Sequence, residues 1–174
     1  MSERAARSTS ARPVLIAAAL LAALFAACTF LAPLAASLDL PGAGPLYALY
    51  SPLCHQNPAR SLTVASAPQA VCARCCGLYL GVSAALIVAT LFAGRLRPRR
   101  WWLVAAALPV LADVALNLAG APALANVPRL IVALPAGWVA GLFLVEGVVD
   151  VAAHGLGPAK RIETAPLVLE EADG

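Results

Sequence analysis

The sequence predicts an all-α integral membrane protein: a four-helix bundle with one ordered extracytoplasmic loop that carries cysteine and histidine. Three observations lead there. Of the 174 residues, 61% are hydrophobic and 12% charged, and the mean hydropathy is +0.84, a balance outside that of soluble domains of this size. Four apolar stretches, separated by Pro, Gly or Arg, are each long enough to cross the hydrocarbon core of a bilayer. Four of the five cysteines and one of the two histidines fall between Cys54 and Cys76. The net charge of +3 is small, and the arginines punctuate apolar runs instead of forming a patch. Nucleic acid is therefore excluded as a partner and the lipid bilayer is the expected surrounding. No Gly-rich phosphate loop, nucleophile elbow or HExxH helix is present.

Taken in order, residues 1–12 are polar and carry Arg4, Arg7 and Arg12. Residues 14–34 are uncharged and form the first span; the Ala-rich end near Leu34 resembles a cleavage site, but the length favours an uncleaved helix. Cys28 lies inside it as a small apolar residue. Pro41, Gly42, Gly44 and Pro45 then break the helix. Tyr47 and Tyr50 suit the membrane–water interface and lead into Cys54-His55. The second span runs near 71–93 and places Cys72, Cys75 and Cys76 on one face of its first turn. Gly77 and Gly81 form a GxxxG pair that admits a close neighbour. After a basic turn containing Arg95, Arg97, Arg99 and Arg100, Trp101 and Trp102 mark the interface where the third span, 101–118, begins. The fourth span, 127–149, holds Pro135 and a second GxxxG pair, Gly137 and Gly141. The expected division is a cytoplasmic N-terminal segment at 1–12, a transmembrane domain at 13–150 and a flexible cytoplasmic tail at 151–174.

The basic residues set the orientation. Nine of the twelve lie in the N-terminal segment, the 95–100 turn and the tail, which share one side if there are four spans. The positive-inside rule makes that side cytoplasmic. The chain is expected in the cell (inner) membrane, with the Cys/His loop facing outward.

Thiol and imidazole together bind soft or borderline metals, and Cys72-x-x-Cys75 is half of a common ligand set. Cys54, His55, Cys72 and Cys75 are the candidate metal ligands, with zinc or iron the expected ion. The same atoms permit redox exchange, with Cys72 and Cys75 as the exchanging pair and Cys54 as a resolving thiol, or a plain disulfide from Cys54 to Cys72 or Cys75. An outward CxxC on the first turn of a membrane helix resembles the DsbB family of disulfide-forming quinone reductases. That resemblance implies four helices, cytoplasmic termini and a quinone cofactor. It is confined to Cys72, Cys75 and the topology, since residues 119–125 hold no second cysteine pair.

A broader resemblance lies in Leu53-Cys54-His55-Gln56, Pro58-Ala59-Arg60-Ser61 and Cys72-Ala73-Arg74-Cys75-x-Gly77-x-Tyr79-x-Gly81. With Pro109, Asp113, Asn126 and Arg129, these residues resemble a family of prokaryotic membrane proteins known as domain of unknown function 2085. The resemblance covers about residues 45 to 145 and implies architecture and candidate residues, not an activity.

A charge at bilayer depth costs on the order of 3 kcal/mol on insertion scales, so each needs a reason. Asp113, Asn117, Asn126 and Arg129 are expected to meet beneath the Cys/His loop. They would form either a structural ion pair, Asp113 with Arg129, or a proton or substrate path. The functional expectation is a membrane protein carrying an extracytoplasmic Cys/His metal site. The alternatives are a thiol–quinone oxidoreductase, or an accessory subunit of a larger membrane complex or homo-oligomer built through the GxxxG pairs.

Overall fold

The computed structural model describes residues 2–92, 98–121 and 124–155, with side chains from residue 11 to residue 152. The basic turn at Arg95 and Arg97 and the tail beyond Gly155 lie outside the described residues. Among the described residues, the fold comprises five α-helices, a 3₁₀ turn and one small hairpin. They are α1 (Ser2–Ser37), α2 (Ala43–Tyr50), a single 3₁₀ turn (Pro58–Arg60), β1 (Ser61–Val64), β2 (Ala67–Cys72), α3 (Ala73–Leu91), α4 (Arg100–Leu118) and α5 (Asn126–Gly155).

Four of these helices are long and apolar enough to cross a membrane: residues Ala11–Ser37 of α1, all of α3 and α4, and Asn126–Ala152 of α5. Leucines such as Leu20, Leu21, Leu108 and Leu111 point outward along them. That surface is the one a bilayer covers. The polar residues ahead of the first span continue its helix, so α1 begins at Ser2.

The tightest contact joins α3 to α5, which run parallel. Gly77 packs on the carbonyl of Leu130, Gly81 on Leu134 and Trp138, and Gly137 on the carbonyl of Leu78. A Cβ at Gly137 would collide with backbone, which cannot move aside as a flexible side chain can. The two GxxxG pairs thus close on each other within one chain instead of presenting a surface to a second one. Helix α1 lies against both α3 and α5, burying Leu15, Ala19, Leu86, Ala89 and Val145 together. Helix α4 docks on α5 and buries little besides Ala106 and Asp113.

The stretch between the first two spans is ordered. It folds as α2, the 3₁₀ turn and a two-stranded antiparallel hairpin. The hairpin reverses through Ala65 and Ser66, both at positive φ (49° and 68°), the two-residue geometry that matches strand twist. Its register pairs Ser61 with Cys72 and Val64 with Ala67. The strand therefore runs through Cys72, and α3 starts two residues later than the expected boundary at 71. The strand persists there with Ala70 and Val71 both fully buried against α1 and α2, successive side chains of a strand serving its two faces.

Tyr50 anchors the cap to the bundle. Its hydroxyl donates to the Phe25 carbonyl at 2.5 Å, its ring tilts against that of Phe25, and burial pushes its pKa up to about 12. Tyr47 donates likewise to the Pro68 carbonyl.

Gly137→Val is expected to destabilise the detergent-solubilised protein by about 3 kcal/mol, the upper range for overpacking. Gly44→Ala, whose added methyl meets open space, should change stability by no more than about 0.5 kcal/mol. Thermal unfolding of the two variants side by side checks the difference.

Candidate metal centre

Each part of the Leu53–Ser61 stretch has a mechanical task. Cys54 leaves the end of α2, its amide donating to the Tyr50 carbonyl at 2.9 Å, and is buried. Gln56 adopts positive φ (50°) and donates through Nε2 to the carbonyls of Tyr47 (2.6 Å) and Ala70 (2.9 Å). One amide thus ties α2 to β2 across the loop. Asn57 caps the 3₁₀ turn by accepting from the Ala59 amide at 3.0 Å, with Pro58 in the position where a missing N–H costs nothing. The Ser61 hydroxyl closes the turn by donating to the Asn57 carbonyl at 3.0 Å.

This frame carries Cys54 to the start of α3. The ligand atoms of Cys54, Cys72 and Cys75 all lie within 4.8 Å of one another. The Cys72 and Cys75 sulfurs are 3.5 Å apart, and the Cys72 amide donates to the Cys54 sulfur at 3.2 Å. Sulfurs on a tetrahedral ion with bonds of about 2.3 Å stand about 3.8 Å apart, so this triangle needs little adjustment to close on a metal. The hydrogen bond with Cys75 holds the Cys72 thiol well below its ordinary range, at about 5, against the opposing effect of burial.

His55 and Cys76 part company with this group. His55 is exposed and stands on the wall of the cavity beside the cysteines, outside the compact triangle. Neighbouring side chains on a turn point apart, so burying Cys54 turns His55 outward. Cys76, expected on the same face as Cys72 and Cys75, faces the core instead, where Gln69 Nε2 donates to its sulfur at 3.3 Å and to Thr29 Oγ1 at 3.0 Å. Cys72 is the N-cap of α3, with extended dihedrals, and so does not follow helical spacing.

Next to the cysteines lies a buried ionic node. Arg74, placed between Cys72 and Cys75, donates through Nε to Asp113 Oδ2 at 2.5 Å and through Nη2 to the Asp113 carbonyl at 3.3 Å. Arg129 Nε lies 3.6 Å from the same oxygen. With its amide oxygen facing the guanidiniums, Asn117 accepts from Arg74 Nη2 at 3.1 Å and from Arg129 Nη2 at 2.7 Å. The expected pair of Asp113 with Arg129 is therefore a triad in which Arg74 holds the closer bond. Asn126 is not part of it. It donates to the carbonyls of Ser61 (2.8 Å) and Ala59 (3.4 Å) and so fastens the start of α5 to the hairpin, because the first residue of α5 reaches the cap before the bundle interior.

The residue that sequence reasoning missed is Arg74. A signal was present: between positions 40 and 145 Asp113 is the sole acid, so any arginine at depth in that stretch has one carboxylate to turn to.

The fold and this site define a multi-pass membrane protein whose ordered cap presents a three-cysteine cluster over a buried ionic triad. The chain belongs to the family described as predicted membrane protein (DUF2085), which matches residues 54–143. The match starts on Cys54 and takes in the other cluster cysteines and the whole triad. The chain is also similar to an uncharacterized protein of the archaeon Methanocaldococcus jannaschii, 36% identical over 104 residues. That similarity spans 58% of this chain and 66% of the relative. No solved structure matches the chain.

Removing the shared carboxylate should be worse than removing one of its partners. Asp113→Leu is expected to cost about 3–5 kcal/mol, since it strands two guanidiniums, whereas Arg129→Leu leaves the Arg74 bond intact and costs less. Thermal unfolding in detergent ranks them, and equal losses would show that Arg74 does not carry the carboxylate.

Proposed function

We propose that this protein holds a metal ion, zinc or iron, at an extracytoplasmic site formed by Cys54, Cys72 and Cys75. The observation that carries the reading is the compact triangle of three sulfurs, drawn from two distant stretches of chain and lodged at the end of a membrane bundle. Thiolates select zinc and iron among the common ions. The fourth position belongs to His55, which stands on the same cavity wall, or to an external ligand. A triangle of protein ligands with one open position is the arrangement of catalytic zinc sites, whereas four protein ligands make a structural one.

The charges fit this assignment. A divalent ion on three thiolates is a formal monoanion. Arg74 and Arg129, less Asp113, carry one net positive charge beside it. Oppositely charged neighbours in a poorly hydrated site stabilise each other.

A second reading, thiol–quinone exchange, rests on the lowered pKa of Cys72, which makes it the attacking thiolate, with Cys75 at 3.5 Å as its exchange partner and Cys54 as the resolving thiol. The two readings part on metal content. Elemental analysis of protein purified without chelator or nickel resin is expected to give about one equivalent of zinc or iron. Any single Cys→Ser change among the three ligands should lower occupancy by at least about tenfold, and His55→Ala by less. Metal far below one equivalent with oxidised thiols would shift the assignment to redox exchange.

The outward orientation follows from the distribution of arginines. A reporter inserted at Ser66, the tip of the hairpin, is expected to be active only outside the cytoplasm. Cytoplasmic activity there would reverse the orientation and place the metal site inside the cell.

A further inference from the structure

The cavity beside the cysteines has a volume of about 400 Å³, far more than one metal ion fills and in the range of small-ligand sites. Its lining is rich in arginine, beside the three cysteine sulfurs. Arg60, Arg74 and Arg129 line it, and among the described residues no Asp or Glu does. Asp113 lies behind the wall and engages the two inner arginines through a single oxygen, Oδ2. One carboxylate therefore faces two guanidiniums, that of Arg129 buried and that of Arg74 half-buried, with a third at the cavity mouth.

A specific donor is also left over. The Arg129 side chain is 7% exposed, and its Nε has no hydrogen-bond acceptor. Its nearest carboxylate oxygen, Asp113 Oδ2, stands at 3.6 Å, too far for a hydrogen bond, and a buried charged donor left in that state is costly, so an acceptor from outside the chain relieves that cost on binding. The backbone adds to the same field. Helices α3 and α5 run parallel and both begin at this end, so the positive ends of two helix dipoles converge on the cavity.

We propose that the cavity is an oxyanion-binding site, in which a phosphate or carboxylate group is held by Arg60, Arg74 and Arg129. The planar guanidinium fork matches both groups. The inner arginines supply fixed donors, because Asp113 and Asn117 hold them in place. Arg60, exposed at the rim, draws the anion in and closes over it. This inference stands on the arginines and the cavity, whether or not the cysteines hold a metal.

Inorganic phosphate titrated into the detergent-solubilised full-length chain at constant ionic strength, and followed by calorimetry, is expected to bind saturably at one site. Arg60→Gln, at an exposed position outside the triad, should weaken that binding about fivefold without moving the melting temperature. Arg129→Lys keeps the charge toward Asp113 but removes Nε and the fork, and should weaken it at least about tenfold. Chelation should leave the affinity within about twofold, which separates this inference from the metal reading. A folded wild-type protein that shows no saturable binding would overturn the proposal. So would affinity unmoved by both substitutions, or binding that disappears with the metal. Repeating the titration in nanodiscs names the natural source. Competition by phosphatidylglycerol assigns the site to a lipid headgroup, and indifference to it assigns the site to a soluble anion.

Discussion

The backbone contact between α3 and α5 is the constraint on which the rest depends. Four glycines let two parallel helices approach so closely that an added Cβ would run into a carbonyl of the neighbouring helix at Gly77, Gly81 and Gly137 and into Ala85 at Gly141, and lipid offers no hydrophobic force that would substitute for such packing. Because the helices are parallel and in close register, their first turns lie side by side. Arg74 and Arg129 are therefore brought to the same place by contacts made along the bodies of the helices, well away from the arginines themselves. Asp113, on an otherwise outward-facing α4, then has both within reach. The charges stabilise a geometry that the glycines set.

The cap obeys a second logic, that of hydrogen-bond satisfaction at a membrane boundary. The segment between the first two spans is broken by Pro and Gly and is helical only over α2, yet the rest of its backbone groups need partners too. The hairpin, the capped 3₁₀ turn and the Gln56 amide supply them. The outcome is a rigid lid, pinned to α1 through Tyr50 and to α5 through Asn126. That order keeps three sulfurs from two distant stretches of chain within 4.8 Å of one another, a grouping that a floppy loop would lose to chain entropy.

Sulfur cluster and ionic triad are joined through Arg74, which sits between two cluster cysteines and bonds to Asp113. The cavity borders both, so one small space is exposed to cysteine sulfurs, guanidiniums and two helix N-termini.

Composition and periodicity by themselves determined the membrane class, the four spans and the cysteine-rich window, because burial in lipid demands long uncharged runs and leaves chemistry-bearing residues conspicuous. The glycine pairs were legible too, though not their partner: a GxxxG pattern states that something comes close without naming it. Only the tertiary structure decided which groups share a site. Helical spacing put Cys76 with Cys72 and Cys75, but the strand that ends at Cys72 breaks that periodicity and sends Cys76 to the core. Adjacency suggested His55 alongside Cys54, and the turn separates them. Depth suggested that Asn126 joins Asp113, yet the hairpin carbonyls reach it first. Arg74 stood outside the expected polar cluster, and the α3–α5 contact carries it over to the one carboxylate in that part of the chain. A sequence records which groups exist at what spacing. The directions in which they point are set by hydrogen bonds and packing between segments far apart along the chain.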